Sequence, residues 1–212
     1  MTQIFYYKLS TPFSIQKWAF YYQQMPEDIQ ERIRRYRKEE NKYQLMIGRL
    51  LLKEGMQQLG FKDFKLVDLF YNEFNCPLWR EGIHFNIAHS ANVVACAFST
   101  TIKIGLDVEQ IRRINLNDFA YILNELDEQN IQQAGNAYTA FFKIWTIKEA
   151  VTKAIGKGLS IDVQQIHIHE RYAVFEGQKW WYQTLDLQEN IAGHLVMEEE
   201  ANQLIKLIAL DF

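Results

Sequence analysis

The chain has 212 residues, 48% of them hydrophobic and 23% charged, with a formal net charge of −3. That length suffices for one large buried core or two small ones, and the slightly acidic balance offers no global attraction to nucleic acid. Cys76 and Cys96 have no CxxC spacing; they make neither a disulfide framework nor a zinc site and suit a reducing compartment.

The opening residues lack a basic stretch followed by an apolar one, and no apolar run approaches the ~18 residues of a membrane span, so a cytoplasmic protein with no membrane partner is expected. In chain order, a strand is expected over 4–9. A polar helix follows around 26–42 and contains the basic run Arg32-Ile33-Arg34-Arg35-Tyr36-Arg37-Lys38, either a solvated face or a docking surface for an acidic partner. A long helix over 43–59 places Leu45, Met46, Leu50, Leu52, Met56 and Leu59 on one broad face and stops at Gly60. Strands are expected over 65–70, 84–87 and 93–98. The second half repeats this order. It has a strand over 103–108, a polar helix over 124–133 and a long helix over 138–155 stopped by Gly156 and Gly158. Strands over 165–169, 172–175, 180–186 and 203–210 complete it. A shift of roughly 100 residues lays one half over the other. The expected fold is therefore α+β: two similar lobes, residues 1–102 and 103–212, forming an intramolecular pseudo-dimer with the active site at their interface.

The chemistry concentrates in two places. In Gly105-Leu106-Asp107-Val108-Glu109, Asp107 and Glu109 are two apart on a strand and point the same way. In Trp145-Thr146-Ile147-Lys148-Glu149-Ala150-Val151-Thr152-Lys153, Glu149 and Lys153 are one helical turn apart and share a face. If strand and helix pack, three carboxylates and an ammonium converge, a set suited to Mg²⁺ held against a phosphate ester. Taken singly, each has a plainer reading: acids facing water on a half-exposed strand, and an i,i+4 ion pair worth ~0.3–0.5 kcal/mol. His89 and Ser90 end the segment Phe85-Asn86-Ile87-Ala88-His89-Ser90, where a turn and two polar groups grip an anion or simply cap the strand. Arg49 lies among apolar neighbours in Gly48-Arg49-Leu50-Leu51-Leu52 and needs either an anionic ligand or an ion pair. His167 and His169 share a strand face but have no third ligand, and surface histidines are expected.

In order and spacing, these three motifs with their tail Gly156-Lys157-Gly158-Leu159 resemble the 4′-phosphopantetheinyl transferases of the two-lobed class that activates peptide and polyketide synthetase carrier domains. The resemblance implies a magnesium-dependent enzyme. It would move the phosphopantetheine arm of coenzyme A to a serine of an apo acyl or peptidyl carrier protein, acidic and helical, releasing adenosine 3′,5′-bisphosphate. It implies Asp107, Glu109 and Glu149 as metal ligands, and Arg49, His89, Ser90, Lys148 and Lys153 as coenzyme A contacts. The general base is open between Asp127, Glu128 and Glu149, with Asp127 also completing a near capping box with Asn124. A two-lobed chain builds within one molecule the cleft that single-lobe relatives need oligomers to make, so a monomer is expected. Ala88 replaces a serine common in the family, Asn75-Cys76-Pro77 replaces Gly-Lys-Pro, and Asp28 and Glu31 stand where some members carry lysines, with Lys38 or Arg49 as substitutes. These departures imply altered coenzyme A binding and keep open a degenerate binding module that no longer transfers.

Overall fold

Each half places a long helix over one face of a largely antiparallel sheet. The computed structural model describes residues 2–74, 76–200 and 205–212; Asn75 and the first residues of the last expected strand, Gln203 and Leu204, lie outside them. In chain order the elements are β1 (Thr2–Lys8), α1 (Ile15–Tyr22), α2 (Glu27–Arg35), α3 (Glu39–Gln58), β2 (Phe70–Tyr71), β3 (Pro77–Leu78), β4 (His84–Ser90), β5 (Val93–Ser99) and β6 (Ile104–Gln110). They continue with α4 (Glu125–Gln133), α5 (Ala137–Ile155), β7 (His167–Ile168), β8 (Tyr172–Phe175), β9 (Gln178–Thr184), β10 (Ile191–Met197) and β11 (Lys206–Ala209). One sheet has the order β11-β1-β5-β4 and the other β6-β10-β9-β8-β7. The opening strand of each half, β1 or β6, pairs antiparallel with the strand β5 or β10, which pairs antiparallel with β4 or β9.

Strand alternation decides the layering. Phe5 and Tyr7 of β1 with Val94, Cys96 and Phe98 of β5 pack under Met46, Ile47 and Leu51 of α3. Their alternates Ile4, Val93, Ala95 and Ala97 face the second sheet, meeting Ile104, Leu106 and Val108 of β6 and Leu195 and Met197 of β10. The outer face of the second sheet receives α5, with Phe141, Ile147 and Val151 buried. The order is thus helix, sheet, sheet, helix, and β6 must turn Gly105, Asp107 and Glu109 toward α5.

Several elements differ from expectation. The boundary between the helices expected over 26–42 and 43–59 falls earlier: Tyr36 and Lys38 are both extended, so α2 ends at Arg35 and α3 begins at Glu39. The segment over 65–70 is a 3-10 turn (Leu66–Asp68) rather than a strand, with Leu66 its one buried residue. Helix α1, capped by Ser14, and strand β10 carry no expectation at all. The segment expected as the last strand of the second half returns to the first: β11 pairs parallel with β1. No helix among the described residues is long and apolar enough to cross a membrane.

Candidate active site

Gly105 sets the distance between α5 and β6. A Cβ there would lie 1.9 Å from the Ala150 carbonyl oxygen and 2.5 Å from the Ala154 nitrogen, so only glycine admits the helix this close. Asn136 starts α5 by accepting from the Tyr138 and Thr139 amides, and Gly156 ends it in the left-handed conformation at φ 78°. Helical spacing then aims Glu149 and Lys153 at the strand. The Lys153 ammonium donates to Asp107 Oδ1 at 2.7 Å and to the Leu106 carbonyl at 3.1 Å.

Asp107 is buried, and its Oδ2 has no hydrogen-bond partner. Burial pushes this carboxyl up to about 7; Lys153 opposes the rise, and Glu149 and Glu109 add to it. Burial also raises Glu149, with Lys153 opposing and Glu109 adding. The three carboxylates thus sense one another, yet among the described residues no group of three acidic, histidine or cysteine side chains is arranged to hold a metal ion. The donor set still suits Mg²⁺, which takes one or two carboxylates and fills its shell with water and phosphate oxygens; the orphaned Asp107 Oδ2 is the ready position.

Beside this cluster opens a cavity of about 310 Å³, with Arg49 and His89 on one side and Lys153, Gly156 and Gly158 on the other. Arg49 is 6% exposed and its Nε has no partner among the described residues. Burial pulls the guanidinium below its ordinary range, Tyr71 opposes the shift, and Arg32 reinforces it. His89 is also pulled down, by burial first and then by Lys153, with Arg49 adding further, so its imidazole is neutral near pH 7. A cavity with the buried, under-satisfied Arg49 and with Arg32 and Lys153 at its walls is built for an anion.

Three expected site residues serve other ends. Lys148 has no exposed side-chain surface; its ammonium pairs with Asp127 Oδ2 at 2.6 Å and donates to the Ile122 carbonyl at 2.8 Å. It does not line the cavity. Asp127 is 2% exposed and also accepts from the Asn124 amide, closing the capping box of α4. This carboxylate is committed to the ion pair and the cap and does not line the cavity. Ser90 was expected to grip an anion, but its hydroxyl donates to Glu109 Oε2 at 2.9 Å and accepts from the Gln110 amide at 2.9 Å. It orients a carboxylate across the junction of the two sheets.

The departures from the family pattern also resolve into positions. Ala88 is buried in the core between the sheets, so a hydroxyl there would not face the cavity. Asp28 and Glu31 are exposed, and Glu31 pairs with Arg35. The cation that α2 contributes to the cavity is Arg32, which the sequence reading left within a general basic run; Lys38 does not line it. Glu128 lies on a different surface groove with Leu116 and Ile131. His167 and His169 are exposed, and His169 stacks on Tyr172.

A family model described as the 4′-phosphopantetheinyl transferase superfamily matches residues 103–200. The 4′-phosphopantetheinyl transferase gsp of Aneurinibacillus migulanus is 29% identical over 175 residues, covering 79% of this chain and 71% of its own. The 4′-phosphopantetheinyl transferase Sfp of Bacillus subtilis (strain 168) is 26% identical over 147 residues, 66% of this chain and 65% of its own. The match to pptA of Paxillus involutus, 28% identical, covers 65% of this chain and 62% of that relative. A solved Thermotoga maritima holo-[acyl-carrier-protein] synthase superposes with a TM-score of 0.36 and 18% identity over 46% of this chain and 63% of that one. Residues 103–200 thus match the 4′-phosphopantetheinyl transferase superfamily, and relatives named as 4′-phosphopantetheinyl transferases align with up to 79% of the chain.

Proposed function

We propose that the chain transfers the 4′-phosphopantetheine arm of coenzyme A to a serine of an apo acyl or peptidyl carrier protein. The single observation that carries this reading is the juxtaposition of the anion cavity, with Arg49, His89 and Lys153, and the Asp107–Glu109–Glu149 carboxylates on α5 and β6. The shared strand order of the two sheets supports a two-lobed pseudo-dimer, with residues 1–102 supplying Arg32, Arg49 and His89 and residues 103–212 the acidic cluster.

In the proposed reaction the serine oxygen attacks the pyrophosphate phosphorus that bears the pantetheine. The bond to the bridging oxygen breaks, and adenosine 3′,5′-bisphosphate leaves. Arg49 and Arg32 hold anionic oxygens of coenzyme A, and Lys153 bridges the cavity to Asp107, so that charge gathering on the leaving oxygens meets a fixed cation. Of the candidate bases, Glu149 lies in the acidic cluster, while Asp127 is held in a buried ion pair and Glu128 lies on another groove, so Glu149 takes the serine proton. Asp107, Glu109 and Glu149 would hold Mg²⁺, which when bound supplies charge neutralisation at the pyrophosphate. The exposed basic face of α2, with Arg34 and Arg35, suits an acidic carrier, and binding should weaken with salt.

The test is direct: protein, coenzyme A, Mg²⁺ and a panel of apo carriers are mixed, and the carriers are weighed by intact mass spectrometry. Gain of the phosphopantetheine mass, lost with EDTA, is the expected result. Coenzyme A binding without gain on any carrier would instead support the degenerate module.

A further inference from the structure

We infer that Asn72 is a positioning residue for coenzyme A capture, its carboxamide latching the loop between β2 and β3 onto the end of α5. The inference rests on the coenzyme A reading of the cavity.

That loop forms one wall of the cavity through Tyr71, Phe74, Cys76 and Pro77. Beyond the Tyr71–Arg49 interaction and the bond from the Asn72 amide to the Cys76 carbonyl, little else among the described residues fixes it. Strands β2 and β3 are two residues each, and a ribbon of that size has no independent stability. Phe70, Tyr71, Phe74 and Leu78 are all exposed, so core packing does not hold the loop. Asn72 instead uses both ends of its side chain. Its Oδ1 accepts from the Phe74 amide at 3.0 Å and the Cys76 amide at 2.8 Å, bending the loop into an Asx turn. Its Nδ2 donates to the Gly156 carbonyl at 2.9 Å, across 84 positions of sequence. Gly156 is the left-handed cap whose amide closes on Lys153 and Thr152. The latch therefore ties the loop from the first half to the turn that carries Lys153 in the second, joining the two walls. Asn72 itself does not line the cavity, so its effect on coenzyme A passes through the loop it holds. A wall already ordered before the ligand arrives spares the ligand that ordering cost.

The experiment compares wild type with Asn72→Ser and Asn72→Ala. Serine is neutral and keeps an oxygen able to accept from the loop amides, but it is too short to reach Gly156; alanine removes both functions. Both variants should raise the KM and the calorimetric Kd for coenzyme A roughly tenfold, as for loss of one hydrogen bond. The kcat at saturating coenzyme A, the KM for the carrier and the melting temperature should stay near wild type. If Asn72→Ser keeps wild-type coenzyme A affinity, the turn alone matters and the latch is refuted. A joint change of both KM values and kcat, with a drop in melting temperature, would show a general structural role and equally refute it. Absence of coenzyme A binding by the wild type is a separate result: it removes the coenzyme A reading, and this inference with it.

Discussion

The Lys148–Asp127 pair separates a structural role from a catalytic one by measurement. Replacing Lys148 with Met removes an ammonium with no exposed surface and leaves Asp127, 3% exposed at its side chain, with the Asn124 amide as its remaining donor. Breaking a buried pair in this way costs about 3–5 kcal/mol, because one charge stays in the interior uncompensated. That is a large share of the roughly 5–15 kcal/mol that holds a domain folded. Asp127→Asn should cost a similar amount by stranding the ammonium, although its amide oxygen can still accept from the Asn124 amide. The double variant Lys148→Met/Asp127→Asn strands no charge and should recover most of the loss, giving a coupling of about 3 kcal/mol. Urea unfolding followed by circular dichroism at pH 7.5 reads all four corners of the cycle. Kinetics complete the test: at a temperature where Asp127→Asn is folded, kcat should stay within a few-fold of wild type. A general base contributes about 10²- to 10⁴-fold. A stable Asp127→Asn that has lost a factor of that size would refute the buried-pin reading and restore Asp127 as the base.

Gly105→Ala should separate the helix from the strand. The new Cβ meets backbone at 1.9 Å rather than a flexible side-chain end, so a cost of about 3 kcal/mol is expected, together with loss of carrier modification as Lys153 moves off Asp107; an active variant with an unchanged melting temperature would show that α5 yields without penalty. His194 carries the acid sensitivity. It is 2% exposed between Thr146 and Thr184, and burial, with Lys143 adding, depresses its imidazole to about 3. The unfolded imidazole takes up a proton as pH falls through about 6.5 while the folded one does not until about 3, so its stability contribution, complete above that window, is lost going down. Between pH 7.5 and 5 the loss is about 2 kcal/mol. Asp107, raised to about 7, works in the opposite direction over the same range, so the measurement is the difference between wild type and His194→Gln. The variant should lack this part of the slope, and parallel pH profiles would contradict the assignment.

The acidic cluster and its lysine were legible because two periodicities each place two residues on a face: Asp107 and Glu109 at spacing two, Glu149 and Lys153 at spacing four. Lys148 entered with the family resemblance and not through this geometry. One residue along a helix is a rotation of about 100°, which carries its side chain away from β6 and toward α4. Asp127 and Ser90 were visible as polar groups beside the motif, but sequence order does not say which neighbour consumes them; a cap and a cross-sheet carboxylate did. Strand β10 was missed because all seven of its residues are buried. A strand covered on both faces shows no alternation, and Gly193 and His194 interrupt the apolar run that remains. Yet β10 lies between β6 and β9, pairs with the strand bearing Asp107, and is the counterpart of β5. The one-residue correspondence His194 with Asp107 across that ladder explains why a buried histidine with no visible chemistry sits beside the site. Its tautomer follows from the same packing: Thr146 donates to the Phe142 carbonyl and so accepts from His194 Nδ1, leaving Nε2 to accept from Thr184. A neutral ring fixed by two hydroxyls holds the strand register behind Asp107 without adding charge to a carboxylate cluster already crowded with it.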